Sequence, residues 1–453
     1  MPGLSRLSSL VLATAFAPLA EAATFIVSNT QDLFRPACTS DCSLREAIYQ
    51  ANNNPGPDRI ELHPGFYVLS LSDPVWNADE ESDPDEDAGV RGDLDIDGEL
   101  TIVGANSNYA STFIQGVSDR LIEVLPGARL NLRHLSLIEG RADTYGGAIR
   151  NDGEAVIAFV GFYNNRATPG IQGKGGAIAN FGDLSVSFSL FSGNNSNGDE
   201  GFTGRGGAIY NLGTLLVRDT HFNNNSVTDN DVDYAHGGAI YNEGLADIAR
   251  SSFVDNLAGQ YGGGGGGAAI VNNESGVLQL VNSTISENHG TDTNGVVANG
   301  LFGHMPTGAQ AKMLLSHVTI AGNHGLGLSN LGSLTVRNSI VAGNLLDQLA
   351  ADCNDQGVSY RALGLLAGRG GGCTRSSVRV ALERVFTSVL IPQLRSTRPW
   401  DGLDTLYYEL RSISPALDAA LASCASHDQR HGERPKDSDG DGSAVCDLGA
   451  YEL

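Results

Sequence analysis

The chain has 453 residues and a formal net charge of −24, from 52 acidic and 28 basic side chains. Lysine occurs only as Lys174, Lys312 and Lys436. This balance disfavours nucleic acids and anionic membranes as partners, and acidic polysaccharides would also be repelled unless calcium bridged them. The length exceeds what one ordinary core fills, a limit that a solenoid escapes by growing along one axis.

Residues 1–22 have the three parts of a secretory signal peptide. Arg6 supplies the positive region, Leu10–Leu19 the apolar stretch, and Ala20-Glu21-Ala22 the small-x-small cleavage pattern. We therefore expect a mature chain that begins near Ala23 and is secreted or displayed on the cell surface. No other stretch is apolar over about 20 residues, so no membrane helix is expected.

Residues 23–58 are predicted to form an N-terminal cap. Ser43-Leu44-Arg45-Glu46 has the pattern of a capping box, and the helix-favouring run Ala47–Ala51 follows it. A short helix here would cover the apolar cross-section and the unpaired strand edges that the first turn of a solenoid exposes.

Residues 59–127 are predicted to form irregular strands, because short runs such as Leu100-Thr101-Ile102 alternate in polarity. The acidic run Asp79–Asp87 is predicted to be an exposed insertion, since like charges repel and stay solvated. Arg91-Gly92-Asp93 matches a tripeptide of some adhesion ligands, although so short a motif arises easily by chance.

A calcium loop is one interpretation of Asp93, Asp95 and Asp97 with Gly98, because oxygen ligands at alternating positions suit a hard cation. The apolar residues between these aspartates favour a strand instead.

From about residue 128 to residue 344 the chain repeats a unit of about thirty residues. The unit reads Gly-Gly-Ala-Ile-x-Asn, then Gly-x-Leu-x-Val, then Phe-x-x-Asn. Alternating apolar positions predict strands, and asparagine and glycine at fixed offsets predict corners. One unit cannot bury its apolar face alone, but stacked units can. The clearest copies begin at Gly146, Gly175, Gly206 and Gly237.

These patterns predict an all-β protein whose residues 59–344 form a right-handed parallel β-helix. A short capping helix precedes the solenoid, and a disulfide-bearing cap over residues 345–453 follows it. Corner asparagines are predicted to hydrogen-bond to one another along the stack, and His289 and His324 each follow such an asparagine, which indicates a repeat position and not a metal pair. The clearest members of the asparagine ladder are Asn165, Asn194, Asn225 and Asn256.

The segments between each Phe-x-x-Asn and the next Gly-Gly-Ala-Ile vary in length and composition, and would stack on one side of the solenoid. Loops held by a rigid scaffold commonly carry binding functions, so these segments are the expected location of a ligand site. They are Ala167–Lys174, Ser196–Arg205, Ser226–His236 and Leu257–Gly265.

The six cysteines agree with export, and we expect the pairs Cys38–Cys42, Cys353–Cys373 and Cys424–Cys446 between sequential neighbours. Six cysteines allow about 15 connectivities, so this is a preference and not a deduction. Metal binding by these cysteines is disfavoured, because the sequence has no Cys-x-x-Cys or Cys/His cluster.

Asp437, Asp439 and Asp441, with Gly442, match the first half of a calcium loop. Leu448 stands where such a loop has its bidentate glutamate, so a solvated acidic turn is the alternative. Calcium is the one cofactor that the sequence suggests.

Arginine–carboxylate pairs are expected to lock the C-terminal region. Asp428-Gln429-Arg430 and Arg434 supply the charges, and arginine forks pair well with carboxylates. A polar binding site is the other interpretation of these residues.

Two end motifs resemble those of exported bacterial proteins. Cys42-Ser43-Leu44-Arg45-Glu46-Ala47 resembles the signature of CSLREA-domain β-helix proteins, and Ser414–Asp418 with Cys446–Glu452 resembles the choice-of-anchor Q region. The repeats are similar to the Gly-Gly-Ala-Ile and Phe-x-x-Asn repeats of chlamydial polymorphic outer-membrane proteins, which are adhesins. The resemblance implies bacterial export and supplies no general catalytic residues.

Two functions fit the sequence, and binding is favoured over catalysis. The first is an adhesin-like binding or structural role outside the cell, as a monomer, with a polysaccharide or another cell's surface molecule as partner. The second is a polysaccharide lyase or glycoside hydrolase that acts in a groove of the β-helix. Carboxylates and an arginine from adjacent rungs that meet in a groove would favour the enzyme.

Overall fold

The computed structural model describes residues 22–71, 89–105, 109–167, 173–198, 204–229, 235–259, 265–290, 294–301, 310–397 and 404–453. Residues 1–21 of the expected signal peptide and the acidic run Asp79–Asp87 lie outside these ranges. The described chain is an almost all-β solenoid whose three long sheets are parallel, as the fold class predicts.

The wide sheet supplies two strand segments to each regular rung, separated by a residue in the left-handed conformation, such as Phe188 or Arg250. Its strands are Thr24–Val27, Asp58–Leu62, Gly65–Leu69, Glu99–Val103, Thr112–Gly116, Arg129–Ile138, Glu154–Tyr163, Asp183–Ser187, Leu190–Ser192, Thr214–Arg218, His221–Asn223, Leu245–Ala249, Ser252–Val254, Val277–Val281, Thr284–Ser286, Lys312–Ser316, Thr319–Ile320, Ser333–Val341, Ser359–Gly368 and Val378–Val380.

The narrow sheet and the small sheet complete each turn. The narrow sheet contains Leu94–Ile96, Ile122–Val124, Ile149–Asn151, Ile178–Asn180, Ile209–Asn211, Ile240–Asn242, Ile270–Asn272, Val297–Asn299, Leu328–Asn330 and Cys353–Asp355. The small sheet contains Arg141–Ala142, Arg166–Ala167, Asn195–Gly198, Ser226–Asp229, Leu257–Ala258 and His289–Gly290.

Four short helices and two antiparallel hairpins complete the described structure. The helices are Leu44–Asn53 (α), Tyr109–Ser111 and Leu382–Arg384 (3₁₀), and Val385–Val389 (π). The hairpins pair Leu345–Leu346 with Leu349–Ala350, and Leu390–Ser396 with Leu406–Leu410.

The core is a set of stacked identical positions, because every rung pairs in register with the next. Phe162, Phe191, Phe222 and Phe253 are fully buried, and their rings stack with centres 4.4, 4.8 and 4.7 Å apart. The spacing between the rings is close to the rung separation of about 4.8 Å, so ring stacking and backbone pairing reinforce each other.

Two buried asparagine ladders hold the corners, and each side-chain amide donates to the Oδ1 of the next rung. Both ladders end on an aspartate, Asp352 in one and Asp355 in the other, whose carboxylates accept from the last amides at 2.9 and 2.7 Å. The predicted ladder is therefore confirmed, with terminal acceptors that the repeat pattern does not contain. The members are Asn165, Asn194, Asn225, Asn256, Asn288, Asn323 and Asn344 in the first, and Asn151, Asn180, Asn211, Asn242, Asn272, Asn299 and Asn330 in the second.

Asp352 should give the protein an unusual pH dependence. Burial raises the pKa of its carboxyl to about 6, against the hydrogen bonds from Asn344 and Gly368 that oppose the shift. Between pH ~4 and pH ~6 the unfolded chain has lost this proton and the folded chain retains it, so stability falls as pH rises. We expect the melting temperature of the wild type to fall relative to that of Asp352→Asn across this window. Melting curves at pH 4, 5, 6 and 7 that stay parallel would contradict the assignment.

The N-terminal helix closes the first rung as predicted. The Ser43 hydroxyl accepts from the Glu46 amide at 3.2 Å, and the Glu46 carboxylate accepts from the Ser43 amide at 2.9 Å, which is a complete capping box. Arg45 is buried. Its guanidinium pairs with Asp32 at 2.7 Å and donates to the backbone carbonyls of Arg91-Gly92-Asp93 at 2.8–2.9 Å. Gly92 and Asp93 are buried in the cap whereas Arg91 is exposed, and the burial of the aspartate argues against use of the tripeptide as an adhesion motif.

Parallel strands continue beyond residue 344, as far as Val380. The disulfide Cys353–Cys373 ties residues 369–377 to the last strand of the narrow sheet, and the structure also contains Cys38–Cys42 and Cys424–Cys446. These are the three pairs of sequential neighbours.

Residues 381–397 and 404–453 fold back along the outer face of the wide sheet. The Tyr408 hydroxyl lies 2.7 Å from the Ser286 hydroxyl, and the Gln429 amide oxygen accepts from Thr284 at 2.7 Å. A second apolar cluster, which includes Ile340 from the solenoid, seals this contact. The fold-back segment is therefore packed on the rungs and not only on their end.

The predicted arginine lock holds the fold-back segment together. Arg430 pairs with Asp428 at 2.8 Å and lies over the Tyr451 ring, with the guanidinium carbon 3.9 Å from the ring centre. Arg434 pairs with Glu452 at 3.0 Å, and both side chains are fully buried. The structural interpretation of these residues is confirmed, with Glu452 as a partner that the sequence did not indicate.

Candidate functional site

The variable loops return to the solenoid beside the narrow sheet, where their last residues form a ladder. Tyr145, Lys174, Arg205 and His236 each precede the Gly-Gly pair of their repeat, and they bridge in register from rung to rung. Next to them, the outward positions of the narrow-sheet strands carry Arg150, Ala179, Tyr210 and Tyr241. We name as the cation–aromatic face the residues Tyr145, Arg150, Lys174, Phe181, Arg205, Tyr210 and Tyr241.

Glycine makes the turn that positions this ladder. Gly175 has a left-handed φ of 71°, and a Cβ there would lie 2.0 Å from the carbonyl oxygen of Ile178. Only glycine fits such a turn, so the residue before it is held at the edge of the narrow sheet in every regular rung. The repeat motif thus creates a fixed position for a functional side chain.

Cations and rings alternate on the face. The Arg150 guanidinium carbon lies 5.9 Å from the centre of the Tyr145 ring and 5.8 Å from that of Phe181. The Lys174 ammonium lies 5.2 Å from the Tyr145 ring centre and 5.5 Å from that of Tyr210. Tyr145 and Phe181 meet edge to face at 5.1 Å, which fixes both rings. These contacts lie within the range of cation–π attraction.

Carboxylates neutralise much of the positive charge on the face. Arg150 pairs with Asp152 at 2.8 Å, and Arg205 pairs with Glu243 at 3.1 Å. The Tyr210 hydroxyl donates to Glu243 at 2.8 Å, and burial followed by the charge of Glu243 raises the pKa of this phenol. The face is therefore polar and close to neutral, with hydrogen-bond donors held beside aromatic rings.

Only part of the face is open to a ligand. The half-buried side chains are those of Tyr145, Arg150, Lys174 and Phe181. Tyr210 is only 4 % exposed, and it packs in a buried apolar cluster with Tyr241. The four half-buried side chains offer the contact surface, and the two buried tyrosines pack beside it on the following rungs.

The predicted calcium residues near the C-terminus come together only in part. Carboxylate oxygens of Asp437 and Asp439 lie within 4.8 Å of each other and of Asp418, which takes the place expected for Asp441. Asp437 accepts from the amides of Gly440 at 2.8 Å and Gly442 at 3.0 Å, as in an acidic turn. The oxygen donors fit a hard cation, and calcium binding here remains a prediction.

Asp93 and Asp95 form a second carboxylate cluster, with Glu123 and not with Asp97. The cluster is buried, and Arg120 pairs with Asp93 at 2.8 Å and also contacts Glu123. An arginine thus supplies positive charge where a metal ion would otherwise be needed, and the predicted strand Leu94–Ile96 runs through the cluster.

Carboxylates and an arginine from adjacent rungs do meet in a groove, on the corner between the narrow and wide sheets. The groove has a volume of about 530 Å³ and contains Glu99, Arg129, Glu154 and Asp183. Arg129 pairs with Glu154 at 3.2 Å, and both side chains are 45 % exposed. Solvent screens a pair as exposed as this one, which is usual for surface charges. The groove therefore has the residue types of a lyase site, but it lacks the burial that would activate a base.

The variable segments predicted from the sequence end at Lys174, Arg205 and His236, so the prediction already included these ladder residues. It did not single out Arg150 or the aromatic residues Tyr145, Phe181, Tyr210 and Tyr241. Tyr145, Lys174, Arg205 and His236 share one signal, a large polar or aromatic residue immediately before Gly-Gly. His289 and His324 also bridge in register, which confirms that they occupy a repeat position.

No family model and no curated protein matches the chain. Among solved structures, the chain is similar to a deglycosylated pectin methylesterase from Aspergillus niger, with a TM-score of 0.27 and 12% identity, over 82% of this chain and 94% of that one. At this level of similarity nothing follows about activity.

Proposed function

We propose that the protein is an extracellular β-helix binding protein that holds a polysaccharide chain against the cation–aromatic face. The observation that carries this proposal is the half-buried group Tyr145, Arg150, Lys174 and Phe181, which combines fixed rings with charged donors. Sugar rings offer C–H faces to aromatic side chains and hydroxyls to donors, so such a group suits them.

A long and uncharged ligand suits the face better than a small or acidic one. The face extends over successive rungs about 4.8 Å apart, so it presents similar groups along the solenoid axis. Glu243 and Asp152 offset its arginines, and the chain as a whole carries a net charge of −24. A polyanion would therefore gain little at the face and be repelled elsewhere.

Three disulfides support an extracellular location, because such bonds persist in oxidising compartments. In the described ranges, no helix combines the length and the apolar character needed to span a bilayer. An adhesin-like role on a bacterial surface, as the family resemblance implies, is the form of this function that we favour.

The variant Tyr145→Ala with Lys174→Gln should lose polysaccharide binding. It removes one ring and one cation from the open part of the face, and it leaves the buried ladders intact. We expect the wild type to be retarded in native gels that contain one of a panel of neutral polysaccharides, such as xylan, glucan, mannan and arabinan. The double variant should bind at least about tenfold more weakly, the effect of losing roughly 1–2 kcal/mol of stacking and donor contacts.

The matched control is Phe66→Ala with Lys312→Gln, which removes an exposed ring and an exposed lysine from the wide sheet. It should bind like the wild type. Retardation that is unchanged in the face variant, or lost equally in the control, would contradict the proposal.

A further inference from the structure

A second groove lies where the wide sheet turns towards the small sheet and the fold-back segment crosses it. Its volume is about 350 Å³. We name it the corner groove, and it is lined by Asp255, Glu287, Gly322, His324, Phe386, Pro392 and Tyr408.

Two carboxylates from neighbouring rungs face this groove. Asp255 and Glu287 directly precede Asn256 and Asn288, whose side chains are hydrogen-bonded at 2.9 Å, so the two acids occupy equivalent positions. Both have left-handed backbones, with φ of 54° and 58°. Because the rungs lie about 4.8 Å apart, the two acids are backbone neighbours whose carboxyl groups can approach the separation of about 5 Å that retaining glycosidases use.

The groove also has an aromatic wall, supplied by the fold-back segment. A glycine occupies the next equivalent position, and a Cβ on Gly322 would lie 2.9 Å from the Tyr408 hydroxyl and 3.4 Å from the Phe386 ring. The missing side chain therefore makes room for both rings beside the carboxylates. Sugar rings commonly bind between an aromatic wall and acidic side chains.

The two carboxyl groups differ in environment. Burial, and then the charge of Asp255, raise the pKa of Glu287, while His324 opposes the shift. Asp255 is exposed and lies 4.0 Å from the ring of His289, which stacks on His324. A carboxyl group whose pKa is raised by burial, beside a second carboxyl group that is exposed to solvent, is an arrangement that can divide the acid and nucleophile roles.

We propose that the corner groove hydrolyses glycosidic bonds, with Glu287 as general acid and base and Asp255 as nucleophile. The Asp255 carboxylate attacks the anomeric carbon, the bond from that carbon to the leaving oxygen breaks, and the Glu287 carboxyl gives its proton to that oxygen. Water then attacks the Asp255 glycosyl ester while Glu287 takes one of its protons. The second step frees the sugar and restores both carboxyl groups.

The test uses the full mature chain and two kinds of probe. Reducing ends are measured on the neutral polysaccharide panel, and dinitrophenol release is measured on 2,4-dinitrophenyl glycosides of glucose, galactose, xylose and mannose. We expect Asp255→Asn to reduce the rate of hydrolysis of both kinds of probe at least about 100-fold, the usual range for a catalytic carboxylate. Glu287→Gln should reduce the rate of polysaccharide hydrolysis by a similar factor. Added azide should restore its turnover of the dinitrophenyl glycosides, because azide attacks the glycosyl ester without needing a base.

Glu99→Gln is the matched control, since it changes an exposed carboxylate in the other groove, and it should leave both rates unchanged. Retardation in the native gels reports binding at the cation–aromatic face without any hydrolysis, so failure of the proposed binding function is distinguishable from failure of the hydrolase. No product from any probe with the wild type, or full activity in Asp255→Asn, would overturn the inference. Circular dichroism that matches the wild type excludes misfolding of the variants.

Discussion

Arg45→Met should lower the free energy of unfolding of the N-terminal cap by about 3–5 kcal/mol, the usual loss when one member of a buried ion pair is removed. Arg45 is 1 % exposed, and its guanidinium is the partner of the buried Asp32 carboxylate. The same guanidinium donates to the carbonyls of Gly89, Arg91 and Gly92. Methionine has a similar length, so it fills the space but leaves a buried charge and the carbonyls without their donor.

The measurement is hydrogen exchange of peptides from the first rungs, because a solenoid opens from its ends in separate cooperative units. Arg59→Met is the control, since Arg59 and Glu61 form a pair whose side chains are 43 % and 47 % exposed. We expect that change to alter stability by less than about 1 kcal/mol. Equal exchange in the two variants would show that Arg45 does not hold the cap in place.

Asn225→Ala should destabilise the middle of the solenoid by about 3–6 kcal/mol. Asn225 Oδ1 accepts from the backbone amide of Asn194 at 3.1 Å and from its side chain at 2.9 Å. Its own amide donates to the carbonyl of Phe191 at 3.0 Å and to Asn256 at 2.9 Å. Alanine leaves these buried groups unsatisfied, and each such group costs about 1–3 kcal/mol.

Thermal and chemical unfolding followed by circular dichroism measure the effect. Asn223→Ala changes the same residue type two positions away, at a half-buried site at the end of the strand His221–Asn223, and should cost less than about 1 kcal/mol. Similar losses in both variants would mean that the ladder contributes no more than ordinary polar contacts.

The regular rungs could be predicted because each one buries its apolar residues against the equivalent residues of the next rung. Phe162, Phe191, Phe222 and Phe253 recur at one offset, and the structure stacks them in that order. Burial of an apolar face by a neighbouring copy needs no information from outside the repeat. The capping helix was predictable for a similar reason, since its signal is local to Ser43 and Glu46.

The path of residues 381–397 and 404–453 could not be predicted, because its contacts have no periodicity. Tyr408 meets Ser286, and Gln429 meets Thr284, across separations of 122 and 145 residues. The corner groove depends on this path and was missed for the same reason. The ladder ends were missed as well, since Asp352 follows Asn344 by only 8 residues, outside the thirty-residue period.

The cation–aromatic face could be predicted only in part from the sequence. Its positions belong to the repeat, but the chemistry depends on which residues occupy them, and one sequence shows Tyr145, Lys174 and Arg205 as unrelated residue types. Register brings them together, since the bridges Tyr145–Lys174 and Lys174–Arg205 align them on one edge. The fold could therefore be predicted from the sequence, whereas the complete site could not, because only the register of the strands brings its side chains together.

A crystal structure of the mature protein with an oligosaccharide from the polysaccharide that retards it would test the central claim most directly. We expect a sugar ring on the open edge of Tyr145 and Phe181, with hydroxyls that accept from Arg150 and Lys174. A chain bound elsewhere on the solenoid, with these four side chains uncontacted, would contradict the account.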